Sequence, residues 1–449
     1  MQLRDWHYYV VRPQKPREIA ACILQQQDRA RERLELVLED ALARAALAPA
    51  DRALTQELVY GVTRWQTTLD WIIAGKTRGR SQKPLLQILL RLGLYQIFWL
   101  DRIPDHAAVH ESVQLARELG CGPQSGFINA VLRECLRERP ALEEALQQLK
   151  EEQPCLGFSH PRWLCERWAA RWGAAELRKL LEWNNTPALV WARLNTLKTT
   201  AEQLAHQFEH EGVLFTPRQF QWTPADILFE LRSHPPLRTL PSFQQGRFYV
   251  QDPSTLLAVQ ELAPQPGDRV LDLCAAPGGK TTFIAQLMGN QGCIIAEDND
   301  GQRLKRLREN CHRLGVTCVQ AQETNASISG SPTPAHAAAR RTFDRVLVDA
   351  PCSNTGVMRR RVELRWRIQP PEIERLRATQ LRLLHRAAAQ VRLGGTLVYS
   401  TCSLEPEENQ AVIEVFRREH PAFELQTERE LTPIHDGVDG GYVARGLVN

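Results

Sequence analysis

The chain has 449 residues, 43% hydrophobic and 24% charged, with a net charge of +4; it is too long for one ordinary core, implies two or three domains, and permits a nucleic-acid partner without demanding one. Eleven cysteines contain no C-x-x-C pair, which indicates neither a zinc site nor a thioredoxin-type redox motif and reads as reduced thiols in a cytoplasmic protein. The amino terminus has no long apolar stretch and no run elsewhere approaches about 18 apolar residues, so neither export nor membrane spanning is expected.

From Pro16 to about Arg139, apolar residues recur at three- and four-residue spacing (Ile19, Ile23, Leu24; Leu34, Val37, Leu38; Leu85 to Trp99), the period of helices in a bundle. Asp51 is placed to cap the segment holding Leu54, Leu58 and Val59, and Ile103-Pro104-Asp105 interrupts the pattern before it resumes over His106 to Leu119. Lys76, Arg78, Arg80 and Lys83 lie within eight residues without an acid, either a solvated loop or a phosphate-contacting patch. Residues 1–145 are thus expected to form an all-α domain. Residues 146–183 read as a helical connector, with Trp163, Trp168 and Trp172 as core packing rather than a base-stacking platform.

Around Val190 to Asn195 the period shortens to that of a strand. A helix over Ala201 to Glu211 follows, then Val213-Leu-Phe215 and Ile227-Leu-Phe229, so 184–245 reads as a small α/β subdomain with Arg193 and Asn195 as candidate RNA contacts. From 246 to 449, strand-like segments at 248–250, 270–273, 293–296, 345–348 and 396–399 alternate with helices. One helix, Gln302 to Leu314, carries the stripe Leu304, Leu307, Cys311 and Leu314 and is closed by Gly315. Such alternation predicts a doubly wound, Rossmann-like, mainly parallel sheet whose ligands gather beyond the strands' carboxyl ends. The Ser/Pro/Ala-rich stretch from Asn325 to Arg341 is expected as a flexible surface insertion.

The densest candidate site is Asp272-Leu-Cys274-Ala275-Ala276-Pro277-Gly278-Gly279-Lys280-Thr281, a small-residue turn between a strand and a helix. Gly278 and Gly279 let backbone approach a ligand, and the following helix turns free N–H groups and its positive dipole end toward the same space. No G-x-G-x-x-G is present, and Cys274 stands where a P-loop needs glycine. On the same rim lie Glu297-Asp298-Asn-Asp300, acids suited to ribose hydroxyls, then Asp349-Ala-Pro-Cys352-Ser-Asn-Thr-Gly356, then Ser400-Thr-Cys402-Ser403 followed by Leu404-Glu-Pro-Glu-Glu-Asn409. Cys352 and Cys402 stand beside polar turn residues rather than in apolar runs. Cys274 reads as packing, and Lys280 as making a specific contact, since a cation at a helix start opposes the dipole.

These motifs, with Gln251-Asp-Pro-Ser254 upstream, resemble those of the RNA cytosine-C5 methyltransferases, specifically the bacterial 16S ribosomal RNA enzymes of the Sun/Fmu (RsmB) type. Leu58-Val-Tyr-Gly-Val62 and Phe127-Ile-Asn-Ala-Val-Leu-Arg133 likewise resemble the NusB-like RNA-binding domain that those enzymes carry at the amino terminus. The resemblance spans nearly the whole chain and implies S-adenosyl-L-methionine as methyl donor, held by Cys274, Ala275, Ala276, Pro277, Gly278, Gly279, Lys280, Asp298 and Asp349. It assigns Cys402 as the nucleophile, Asp349 to the ring nitrogen and Cys352 to enzyme release. C5 of cytosine is a poor nucleophile until a soft thiolate adds at C6, which explains the wish for cysteine there. Residues 246–449 become the catalytic domain. The partner implied is 16S rRNA or an early small-subunit precursor, with no metal and a monomeric chain; the alternatives are the same chemistry on tRNA or a noncatalytic assembly factor.

Arg359-Arg360-Arg361-Val-Glu-Leu-Arg365-Trp-Arg367 has five cations and one acid. Following the active-site motif, Arg359, Arg360 and Arg361 are expected to hold phosphates flanking an extruded nucleotide, with Trp366 stacking or packing. Two departures from the family pattern stand out. The aspartate that family members place at the adenine is absent, leaving Asn325 or Glu323 to substitute, and Asn354 replaces a small residue and is expected to narrow its loop without touching the nucleophile.

Overall fold

The computed structural model describes residues 15–27, 34–324 and 342–449, which fall into two compact units. The first takes in the chain up to Thr186 and, after a long excursion, Met358–Arg367. Its helices run Pro16–Gln27, Leu34–Arg44, Pro49–Arg64, Gln66–Lys76, Pro84–Trp99, Asp105–Glu118, Ser125–Arg137, Arg139–Glu152, Pro154–Gly157 and Arg162–Asn185. The apolar face seen in the sequence is the buried one: Ile19, Ile23, Leu34, Val37, Leu58, Val59, Leu89 and Leu92 share one core. Asp51 does not cap its helix; Ala48 is the cap residue and Pro49 opens the first turn, where its missing N–H costs nothing. Trp168 is 1% exposed and packs as expected. Of the basic patch, Lys76 is paired with Glu134 and Glu138, whereas Arg78, Arg80 and Lys83 are exposed.

The second unit holds Pro187–Val357 and Ile368–Asn449. A four-stranded antiparallel sheet comes first, β1 (Val190–Leu194), β2 (Leu214–Arg218), β3 (Leu228–Ser233) and β4 (Phe248–Val250), in the order β2-β3-β1-β4. Its helix Ala201–His210 opens on a capping box between Thr200 and Gln203. Next comes a seven-stranded sheet of β5 (Arg269–Leu273), β6 (Cys293–Asp298), β7 (Val319–Glu323), β8 (Phe343–Asp349), β9 (Val391–Thr401), β10 (Phe423–Leu431) and β11 (Gly441–Val448). Its order is β10-β11-β9-β8-β5-β6-β7, with β5 to β9 parallel and β11 antiparallel to both neighbours.

Helix Gly301–Leu314 buries Leu304, Leu307, Cys311 and Leu314, starts on the Asp300 side chain and ends at Gly315 in the left-handed conformation (φ 72°), as the stripe predicts. Strand β10 escaped the sequence pattern because an edge strand buried only at its two end residues, Phe423 and Leu431, carries no apolar alternation to read. The order reverses between β5 and β8, the point beyond whose carboxyl ends this topology places a ligand crevice.

Candidate active site

Four of the segments singled out above meet at this crevice. Leaving β5, the chain turns through Cys274 (φ 62°) and Gly278 (φ 104°) into helix Gly279–Leu287. Glycine suits position 278 on two counts: its φ of 104° is one that side-chain-bearing residues rarely adopt, and a Cβ would lie a tight 3.1 Å from Leu307 Cγ. The turn is pinned from below. Thr281 Oγ1 donates to Asp272 Oδ2 at 2.6 Å, Ala276 N–H donates to Asp298 Oδ2 at 3.1 Å, and Arg303 donates to the Ala276 carbonyl and pairs with Asp298 at 3.3 Å.

Arg193 and Asn195 are not RNA contacts. Arg193 is 1% exposed, donates to Gly279 O at 2.8 Å and to Thr282 Oγ1 at 3.0 Å, and lies against the rings of Tyr249 and Phe283. Burial lowers its guanidinium to about 9, with Tyr249 acting in the opposite direction. Asn195 is 2% exposed and holds the Gly246 and Leu314 carbonyls. Both therefore brace the glycine turn and its neighbours from inside, a role invisible in a strand pattern that shows polar residues but not which face they take.

The acids at the end of β6 divide their work. Asp298 is buried and serves the turn as described, Asp300 caps the next helix through Gln302 and Arg303 N–H, and Glu297 pairs with Arg386. Asp272 is fully buried, and its Oδ1 has no hydrogen-bond partner. Burial pushes its carboxyl up to about 7, against the pull of the Thr281 bond. Cys274 is likewise pushed up to about 12 by burial, the behaviour of a packing thiol. Glu323 is exposed at the end of β7, and Asn325 lies outside the described residues.

Lys280 makes the contact its position demanded: Nζ lies 2.8 Å from Asp349 Oδ1, which also accepts Ser400 Oγ at 3.0 Å. Burial works to lower the Lys280 ammonium, and Asp349 together with Cys402 more than offsets it, so the group is held above its ordinary value. Beyond β8 and β9 the two motif cysteines converge, with Cys352 Sγ 3.4 Å from Cys402 Sγ. Cys352 is 6% exposed; its hydrogen bond with Cys402 and its burial raise its thiol well above the usual value. Cys402 is the more open of the two.

Asn354 does touch the nucleophile candidate. Its Oδ1 is 3.0 Å from Cys402 Sγ, and its own backbone is left-handed at φ 58°. Carboxylate, ammonium, two thiols and a glycine turn thus share one crevice, a set able to bind a nucleoside bearing a cationic group and to add sulfur to an electrophilic ring.

The basic segment behaves differently. Arg365 is fully buried in the helical unit, where it donates to the carbonyls of Arg64, Ser159 and Asn184 and to Asn185 Oδ1 at 2.9–3.2 Å. Burial lowers it to about 9. Trp366 Nε1 donates to Thr63 O at 2.7 Å, and Val362 joins the core. Arg359 is 3% exposed with its guanidinium 3.9 Å from the Trp183 ring centre, whereas Arg360 and Arg361 are half-buried. Among the described residues no helix is long and apolar enough to cross a membrane, and no group of three or more His, Cys, Asp or Glu side chains could hold a metal ion.

Family models match the chain in three places: 16S rRNA methyltransferase RsmB/F over residues 259–443, the NusB family over 14–137, and the ferredoxin-like domain of RsmF/B-like methyltransferases over 160–225. The chain is 38% identical over 408 residues to a probable ribosomal RNA small subunit methyltransferase B of Synechocystis, covering 90% of this chain and 89% of that protein. It is 35% identical over 403 residues to a probable ribosomal RNA small subunit methyltransferase B of Bacillus subtilis, covering 88% and 87%. Among solved structures, a methyltransferase homolog protein from Pyrococcus horikoshii is 30% identical with a TM-score of 0.56, covering 66% of this chain and 97% of that one. The helical first unit and the mostly parallel sheet of the second are the NusB-like and Rossmann-like folds expected.

Proposed function

This chain belongs to the 16S rRNA methyltransferase RsmB/F family, and on that premise we propose that it methylates C5 of a cytosine in 16S rRNA through a covalent adduct between Cys402 and C6. The observation that carries the reading is the pair of sulfurs 3.4 Å apart at neighbouring strand ends, beside the ion pair of Lys280 and Asp349. A noncatalytic RNA-binding factor would have no use for two thiols brought together in this way.

The residues fit S-adenosyl-L-methionine. The turn Cys274 to Lys280 and the amides of helix Gly279–Leu287 would hold it, with Asp298 and Asp349 at the rim, and the buried Asp272, whose Oδ1 has no hydrogen-bond partner, is a polar group the fold itself leaves unsatisfied behind the turn. When bound, that cofactor supplies an electrophilic methyl group. This chain's residues do the rest. Cys402 adds to C6 and pushes electron density toward C5; Asp349 sits by the ring nitrogen and stabilises the protonated adduct. After C5 has been methylated, its proton passes to solvent as the C5=C6 bond re-forms and the C6–S bond breaks, and Cys352 assists this expulsion of Cys402, whose sulfur leaves as a thiolate. Within the basic segment, Arg360 and Arg361, less buried than Arg359, are the residues proposed to contact phosphate.

The deciding experiment is a methyl-transfer assay on 16S rRNA from a strain lacking the gene, with bisulfite mapping of the product. A single protected cytosine supports the proposal, and transfer to another atom or to none removes it.

A further inference from the structure

The loops bearing Cys352 and Cys402 touch directly, Ser353 Oγ lying 3.0 Å and Thr355 Oγ1 3.3 Å from Ser403 Oγ, and Glu408 ties both serines together from beneath the sulfurs. Its Oε1 accepts Ser353 N–H at 2.9 Å and Gln380 Nε2 at 3.1 Å, while Oε2 accepts Ser403 Oγ at 2.5 Å and the Ser353 hydroxyl. Ser353 follows Cys352 and Ser403 follows Cys402, so a single carboxylate holds the residue next to each thiol. Gln380 Nε2 also donates to Pro351 O at 3.0 Å, on the other side of Cys352. The neighbouring Asn409 brackets Cys402 in the same way: Oδ1 accepts Thr401 Oγ1 at 2.6 Å and Nδ2 donates to Ser403 O at 2.9 Å. Tyr399 from within β9 fixes the base of this network by donating to the Glu408 carbonyl at 2.6 Å.

Glu408 and Asn409 are both 0% exposed. The Glu408 carboxylate is met by hydroxyls, an amide and a backbone N–H. Burying such a group costs free energy that these bonds must offset, and an apolar side chain would fill the space at no such cost. What an apolar side chain could not do is hold two separate loops at one spacing, and sulfurs that must reach the same ring tolerate little displacement, since about 1 Å of misplacement can cost about 10²-fold in rate.

We infer that Glu408 is a positioning residue that sets the separation of the Cys352 and Cys402 sulfurs through Ser353 and Ser403, an inference that rests on those two thiols being the reacting pair.

The test is oxidation of the full-length protein by diamide. Each thiol gives up its hydrogen, the two sulfurs join, and the N=N bond of diamide takes up both hydrogens; peptide mass spectrometry follows the Cys352–Cys402 disulfide. Glu408→Ala is expected to slow this disulfide at least about tenfold and to lower kcat by a similar factor, with KM for rRNA within about twofold. Glu408→Gln keeps the shape, with its oxygen accepting from Ser353 N–H and its amide nitrogen donating to the two hydroxyls, and is expected to restore both to within roughly threefold. A folded Glu408→Ala protein that couples its sulfurs at the wild-type rate overturns the inference. Should that variant not fold, Ser403→Ala removes one arm alone, and an unchanged coupling rate there overturns it equally. Cys402→Ala, assayed beside them, separates the two readings: turnover surviving in it defeats the nucleophile assignment, whereas its loss alongside normal coupling in Glu408→Ala defeats only the role of Glu408.

Discussion

Asn354 Oδ1 stands 3.0 Å from Cys402 Sγ while Asn354 Nδ2 donates to Cys352 O at 2.6 Å, so one amide touches both cysteines. Its backbone sits at φ 58°, a conformation that glycine adopts with less strain. Asn354→Gly should therefore change stability by less than about 1 kcal/mol while removing the acceptor of the thiol's hydrogen bond. Alkylation of Cys402 by iodoacetamide at pH 7, read by peptide mass spectrometry, should rise by roughly two- to tenfold. An unchanged rate would show that the amide has no hold on the thiol.

Replacing the sulfurs separates their roles. Cys402→Ala should reduce methyl transfer by on the order of 10³-fold or more while cofactor affinity, measured by calorimetry, stays within about threefold. Cys352→Ala should instead let a covalent protein–RNA species accumulate, seen as a shifted band on a denaturing gel. The shifted band failing to appear would take Cys352 out of the release step.

Asp272 predicts a dependence of stability on pH. Burial pushes its carboxyl up to about 7 in the folded chain, against about 3.9 in an unfolded one. Between those values the folded state keeps a proton that the unfolded state has lost, so stability falls as pH rises from about 4 to about 7 and this contribution is level above that. Asp272→Asn cannot ionise, so its stability relative to the parent should climb over the same window by on the order of a few kcal/mol. Thermal midpoints at pH 5 and pH 7.5 measure the difference; parallel curves would mean that Asp272 titrates in its ordinary range.

The basic segment should divide into two kinds of arginine. Arg365→Ala strips hydrogen-bond donors from three carbonyls and Asn185 Oδ1, and should cost about 3 kcal/mol or more, lowering the melting temperature. Alanine at Arg360 and Arg361 should flatten the salt dependence of RNA binding by roughly 0.7–0.9 for each phosphate no longer neutralised. Filter-binding slopes at several salt concentrations decide whether these two touch phosphate at all.

Much of this molecule is legible in its amino-acid order, because periodicity reports what a segment does by itself. A stripe at Leu304, Leu307, Cys311 and Leu314 has one way to be buried, and Gly315 one common use after it. The Gly278 turn and the polar ends of β8 and β9 marked the crevice for the same reason, since a strand that stops in small or polar residues stops at a rim. Side-chain direction and long-range partnership are another matter. Arg193 looked like a surface contact and is a buried brace; Arg365 stood in the same basic run as the expected phosphate contacts and is held by carbonyls far along the chain. Glu408 lay in a run of acids at a turn, which ordinarily means solvent. Only the register of β9 beside β8 brought Ser353 and Ser403 to its carboxylate, because neighbours in a sheet are chosen by pairing across the whole fold and not by spacing within any one segment.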